Sequence, residues 1–501
     1  MARLIISCFL MTVFLHGTCN RVGAQFTTVL NIPPDPNIGD YFDCNLGCQL
    51  NLSGGGSIGA NSRFFGGSQA NIIGGTIGNR FSGFTGSEIN FFGNDFRIDG
   101  ALVPGLQNAG DTLPLNVPAG VVLSGIFADG TTFVFSDKHS DLFFDGTLTL
   151  HAAALAPVGP ATINAAIDPI PQGVREGQSI TVGPGSRILQ DFRLGRGSIL
   201  NVTGGSVGSV NHVIGSRLRA VGAEINLLSG EIGRDFSVHD GSVVNIEGGF
   251  IDTFFLANNH SVVNMSGGSV AGGRATGQSI INLSGGTLGE FSNRFIVEEG
   301  STLNISGGTN GVDGEANAGS TVNVTGGALG FRFDANAGST INISGGEVHS
   351  QFTAHAGSLV NVTGGVLGVD FGNAAMVNIS GGTIGDRFFA SSDSEVNLFG
   401  KQFFLDGVDL ASFLIPGQPF VISDRDVPLI GVLADGTPFD FLLARSGGRT
   451  PATDVFQTGS TLTVTLVIPE PASFLLIMMS LAGLSLRSSR LPASEGRKSP
   501  A

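Results

Sequence analysis

The chain repeats itself about every 19 residues over most of its length, and a period that short limits the fold to a solenoid. One copy fills residues 320–338 and opens Ser320-Thr321-Val322-Asn323-Val324-Thr325-Gly326-Gly327; the next opens Ser339-Thr340-Ile341-Asn342. Marker asparagines fall at Asn201, Asn226, Asn245, Asn264, Asn282, Asn304, Asn323, Asn342, Asn361, Asn378 and Asn397, with an earlier set at Asn51, Asn71 and Asn90. Inside a copy, Val322 and Val324 alternate with Thr321, Asn323 and Thr325, the two-residue period of a strand with one apolar face. Gly326-Gly327 then permits a sharp corner, residues 329–333 read as a second apolar run, and residues 335–337 form a third side closed by Gly338. Three strands and three corners make one coil of an all-β, parallel β-helix. Nothing in the copies has helical spacing.

A lone coil cannot pair its own backbone, so each N–H and C=O must bond to the coils above and below, about 4.8 Å away. Equivalent side chains then lie over one another. Phe192, Phe236, Phe254, Phe295, Phe333, Phe352 and Phe388 recur late in the coils and are expected to fill the core. The chain holds 38 Phe, one Tyr and no Trp, so its aromatic groups are suited to packing more than to polar recognition.

A second symmetry overlies the first. Glu88-Ile89-Asn90-Phe91-Phe92-Gly93 returns as Glu395-Val396-Asn397-Leu398-Phe399-Gly400, and Ala128-Asp129-Gly130-Thr131 returns as Ala434-Asp435-Gly436-Thr437. The Asp-Gly pairs read as hairpin turns. The chain therefore divides into a short coil block (25–99) with a module that covers the open end of its stack (100–156), a Pro-rich connector (157–185), a long coil block (186–406) and a second such module (407–467).

The ends read as targeting segments. Residues 1–24 carry Arg3, an apolar run over 4–15 and the small residues Val22-Gly23-Ala24, the plan of a secretory signal. At the other end (468–501), Pro469-Glu470-Pro471 precedes an uncharged stretch over 472–486 and then Arg487 and Arg490. This order resembles the PEP-CTERM sorting signal of diderm bacteria, which implies export, transient anchoring through one hydrophobic membrane segment and processing by an exosortase-type enzyme. Proteins with that signal are associated with exopolysaccharide, so the resemblance implies a polysaccharide partner.

Composition agrees with life outside the cell. Only 13 % of residues are charged, the formal charge is −15, and lysine occurs only at Lys138, Lys401 and Lys498, a surface that repels nucleic acid. Cys44 and Cys48, close in sequence before the first marker coil, are expected to form a disulfide in an oxidising compartment. Of the four cysteines, Cys8 and Cys19 leave with the signal, and the remaining two with eight scattered histidines make no metal site by ligand arithmetic; no cofactor is expected.

Polysaccharide lyases and hydrolases also use β-helices, and their chemistry needs convergent carboxylates. Asp235, Glu290, Asp334 and Asp386 read as equivalent places in successive coils, the pattern of a solvated edge. The segment Asp424-Arg425-Asp426 reads as a loop of solvated charges. The Asn-x-Ser/Thr recurrence reads as a stacked polar ladder, with Asn304, Asn323, Asn342 and Asn361 in one outward row beside Ser306, Thr325, Ser344 and Thr363. The expectation is a non-enzymatic structural or adhesive protein of the cell surface or matrix, with a β-helix lyase or hydrolase as the alternative.

Overall fold

The computed structural model describes residues 26–118, 120–136, 142–208, 217–290, 293–298, 300–446 and 454–467. The signal over 1–24 and the sorting segment with Pro469, Glu470, Pro471, Arg487 and Arg490 lie outside the described residues. Among those described, no helix is long and apolar enough to cross a membrane. The chain is all-β, apart from a single turn of 3-10 helix at Leu410–Ser412 among the described residues. It forms two compact units, with the main division in sequence between Pro157 and Val158.

In the longer unit the stack is built from a 25-stranded and a 13-stranded sheet. The coil over 320–338 shows the plan. Thr321–Val324 lies parallel between its neighbours, with Asn304, Asn323 and Asn342 in register, and Val322 and Val324 are fully buried. Corner one is Gly326-Gly327. A Cβ on Gly326 would come within 2.4 Å of the Ser306 carbonyl oxygen, and Gly327 has φ +64°. Only glycine allows both the close approach of the coil below and that backbone.

The second strand is Ala328–Leu329 alone, shorter than the expected run over 329–333. Beyond it Phe331 is exposed, Arg332 turns the chain at φ 58°, and Phe333 enters the core just before the third strand, Asp334–Ala335. The alternation of Leu329, Phe331 and Phe333 imitates a strand in sequence, but the strand ends at Leu329 and the corner that follows turns Phe331 outward, so only Phe333 joins Leu329 in the core. At the third corner Ser339 Oγ donates to Asn336 O at 2.7 Å. The same three-residue serine bond recurs at Ser320, Ser358 and Ser394.

The aromatic column matches the expected row with two changes. Phe255, not Phe254, is the buried member: Phe254 is 53 % exposed at φ 62°, in the turning position that Arg332 occupies. Phe371 belongs to the column as well, with ring centroids 4.8 Å from Phe352 and 5.3 Å from Phe388. In the coil below Phe333 the corresponding residue is Gly314, and Asn310 sits where neighbouring coils place Leu288 and Leu329. Asn310 is 1 % exposed, and its Nδ2 has no hydrogen-bond partner among the described residues. Asn310→Leu should therefore raise stability by about 1–2 kcal/mol by removing an unmet donor from the core. A rise in the thermal midpoint would show it; a fall would mean the amide is satisfied in solution.

The stretch expected to be a connector already belongs to the long stack. Thr162–Asn164 pairs with Ser179–Val182, and Gly173–Val174 pairs with Arg193–Leu194. Pro157, Pro160 and Pro169 are exposed outside these strands, while Ile163 and Val174 enter the core, so the prolines never face a ladder position that needs their missing N–H.

The shorter unit also starts a coil earlier than the marker residues indicate. Thr28–Ile32 pairs in parallel with Cys48–Leu52, which places Asn31 against Asn51. The disulfide between Cys44 and Cys48, Cα atoms 5.5 Å apart, consequently lies inside the stack, across a corner rather than ahead of the first coil. It stands where Ser68 and Ser87 close the next corners by donating to Phe65 O and Phe84 O.

Each unit ends in the same way. Glu88–Ile98 runs out of the last regular coil, Val122–Phe127 folds back antiparallel to it, and Thr147–Ala152 then returns to pair in parallel with the beginning of that long strand. In the longer unit Glu395–Leu405, Pro428–Leu433 and Thr461–Leu466 repeat this arrangement. Each cap is thus an excursion inserted into a final coil. Its Asp-Gly hairpin does more than turn: Asp129 Oδ2 accepts from Gly75 N at 2.9 Å, and Asp435 Oδ2 accepts from Gly382 N at 2.8 Å, latching the hairpin to a Gly-Gly corner of the stack. Burial works against the Asp435 charge, but N–H donors of Thr437 and Gly382, the Thr437 hydroxyl and the nearby Lys401 outweigh it and hold the carboxyl below its ordinary range. The latch's contribution to stability is therefore full above the ordinary carboxyl range and is lost as pH falls through the lowered folded-state value.

Candidate functional site

The outward asparagines form a continuous row, and the structure shows what their amides do. Asn323 Nδ2 donates to Asn304 Oδ1, Asn342 Nδ2 to Asn323 Oδ1 and Asn361 Nδ2 to Asn342 Oδ1, each at 2.9 Å. The chain of bonds continues through Asn378 to Asn397, whose Oδ1 accepts from Thr463 Oγ1 at 2.6 Å. Beside it, Thr325 and Thr363 hydroxyls donate to Ile305 O and Ile343 O at 3.3 and 3.4 Å, and Ser306 and Ser344 make longer bonds of 3.5 Å to Leu283 O and Val324 O. A carboxamide has two N–H donors and two lone pairs, so the ladder consumes half of each. The row is primarily a structural zipper. Each net bond contributes about 0.5–1.5 kcal/mol, and only the remaining donor and acceptor of each rung face outward.

A second repeating feature escaped the sequence reading. Asp313, Arg332, Gln351, Asp370 and Arg387 occupy one corner in five successive coils, all with φ between 58° and 65°. Left-handed backbone costs a residue with a Cβ on the order of 1–2 kcal/mol, yet glycine, abundant at the other corners, is missing here. Arg332 bonds Asp313 through Nε–Oδ1 at 2.7 Å and Nη2–Oδ2 at 2.8 Å, and Arg387 Nη2 meets Asp370 Oδ2 at 2.5 Å. Phe331 and Val369 stand exposed beside these pairs. The signal was legible as the Arg, Gln, Asp and Arg that immediately precede Phe333, Phe352, Phe371 and Phe388, but only the backbone shows this to be a turning position.

The acidic residues considered for catalysis are dispersed. Asp235 lies in the turning position, Asp334 follows its core Phe, Asp386 precedes Arg387, and Glu290 makes an isolated bridge with Asn293; the expected equivalence of these four does not hold. Burial raises the Asp235 carboxyl above its ordinary range, against the pull of Arg234, Arg219 and Arg217. Asp424-Arg425-Asp426 is not simply solvated either. Arg425 turns inward, its Nη1 donating to Ile422 O and its Nη2 to Ser460 O, while Asp426 pairs with Arg445 at 3.1 Å. Burial lowers the Arg425 pKa.

A cleft of about 380 Å³ in the second cap is lined by Lys401, Gln402, Phe403, Asp409 and Leu414 among others. Asp409 is the one carboxylate in that lining, so the pair required for glycoside hydrolysis does not meet there. Among the described residues, no three His, Cys, Asp or Glu side chains gather as a metal ion would require.

The chain matches no family model, no curated protein and no solved structure. Its class follows from its own geometry: a parallel β-solenoid protein whose outer faces repeat the same chemistry coil after coil.

Proposed function

We propose that this chain is an exported structural or adhesive β-solenoid of the cell surface or extracellular matrix, associated with exopolysaccharide. One observation carries the reading: the same outward groups recur in register over many coils, held there by the asparagine ladder. Such a surface gives a long, repetitive partner many weak contacts whose sum is large. The Pro469-Glu470-Pro471 segment with Arg487 and Arg490 supports export and exosortase-type processing, and Lys-poor acidic composition supports a partner other than nucleic acid.

The full chain, mixed with isolated exopolysaccharide, is expected to sediment with it and to release neither reducing nor unsaturated sugar ends. Release of such ends, abolished by substituting one carboxylate, would replace this reading with a β-helix lyase or hydrolase.

A further inference from the structure

The left-handed corner of the longer unit bears on where such a partner would lie. Five consecutive coils place Asp313, Arg332, Gln351, Asp370 and Arg387 at a backbone conformation that glycine would adopt without strain. Strain of this kind persists where the side chain is needed, and it concentrates at ligand-contacting positions. The side chains retained are planar and polar, and the coil spacing of about 4.8 Å sets them in a regular line. Phe331, 37 % exposed, and Val369, 36 % exposed, alternate with them on the same edge.

From these features we infer that the corner ridge is a binding track for a neutral polysaccharide chain lying along the stack; the inference rests on the matrix reading above. Sugar chains present hydroxyl edges and apolar C–H faces in turn. Arg–carboxylate pairs offer a fork of donors beside acceptor oxygens, matching vicinal hydroxyls, and the exposed Phe331 ring offers an apolar surface to a sugar face. The charge balance excludes a polyanion as the preferred occupant: Arg332 is neutralised by Asp313 and Arg387 by Asp370, and Gln351 between them is uncharged. The asparagine row is the weaker candidate, because its amides already bond one another.

The test exploits the unusual backbone. In the full chain, Arg332→Gly, Gln351→Gly and Arg387→Gly combined remove three of the five ridge groups, including every donor fork, while relieving left-handed strain, so the fold is kept. Binding is measured by retardation in gels containing a soluble neutral β-glucan, a mannan or polygalacturonate, alongside the thermal midpoint and sedimentation with isolated exopolysaccharide. Wild type should be retarded by a neutral polymer, and the triple variant should lose at least about tenfold in affinity, as expected when several contacts on one multivalent track vanish, with an unchanged or higher midpoint. Phe331→Ala should weaken binding in the same gels. Equal retardation of wild type and triple variant would overturn the ridge assignment while leaving the matrix reading standing. Retardation by polygalacturonate alone would also overturn it. A wild-type chain that neither enters complexes with these polymers nor sediments with exopolysaccharide would overturn both.

Discussion

Removing residues 320–338 as a block should leave a folded protein one coil shorter, whereas removing nine residues from the same place should destroy the stack. After the whole-coil deletion Asn304 would meet Asn342, and the buried Leu303 and Ile305 would meet Ile341 and Ile343, so every inward position still faces inward. Each coil bonds only to its neighbours, and a missing repeat therefore costs one repeat and one interface. A nine-residue gap instead sets strands against corners and brings polar positions into the core. Far-UV circular dichroism and limited proteolysis distinguish the two products. Equal damage from both deletions would be incompatible with a stack of interchangeable coils.

Phe333→Asp should be the most damaging single substitution in the long unit. Phe333 is fully buried, its ring 6.0 Å from that of Phe352 in a column that continues through Phe371 and Phe388. Truncation alone would cost about 3–5 kcal/mol, and leaving an unpaired carboxylate in that place adds several more on the order of those for a broken buried pair. Asn336→Asp, three residues away, should cost only about 1 kcal/mol, the amide bond from Asn336 Nδ2 to Asn317 Oδ1. Denaturant midpoints of the two variants give the comparison, and similar values for both would place Phe333 outside the core.

The coil plan could be read from residues because it is local and repeated: alternation in Thr321–Val324, two glycines, a serine at the next corner. What could not be read is carried by backbone sign and by distance. The ten-residue offset from marker asparagine to core Phe, as in Asn226–Phe236 and Asn323–Phe333, selects Phe255 over Phe254, but that Phe254 takes positive φ and faces solvent is seen only in the backbone. Asn31 was missed as a marker because its coil is crowded with prolines instead of glycines. The latch from Asp435 to Gly382 spans 53 residues and appears only when the cap folds over the stack. The candidate site suffered most: the asparagines were visible as a row, but their mutual bonding, which takes half their capacity, is a property of the stack and not of a copy.

The ladder also has a direction. Every amide nitrogen reaches toward the earlier coil and every carbonyl toward the later one, so the small dipoles of the rungs add head to tail. At the later end of each unit the returning strand of the cap supplies the closing partner: Thr463 Oγ1 for Asn397 in the longer unit, and His151 Nε2, 3.1 Å from Asn90 Oδ1, in the shorter. With that oxygen as the acceptor, His151 donates from Nε2, and burial, which lowers its pKa, favours the neutral ring over the imidazolium. One reversed rung would set oxygen against oxygen on one side and nitrogen against nitrogen on the other. The amides are therefore coupled along the whole row: turning one alone breaks the bonds on both of its sides, so a surface built from identical rungs keeps one shared polarity, which Thr463 and His151 close at the later ends.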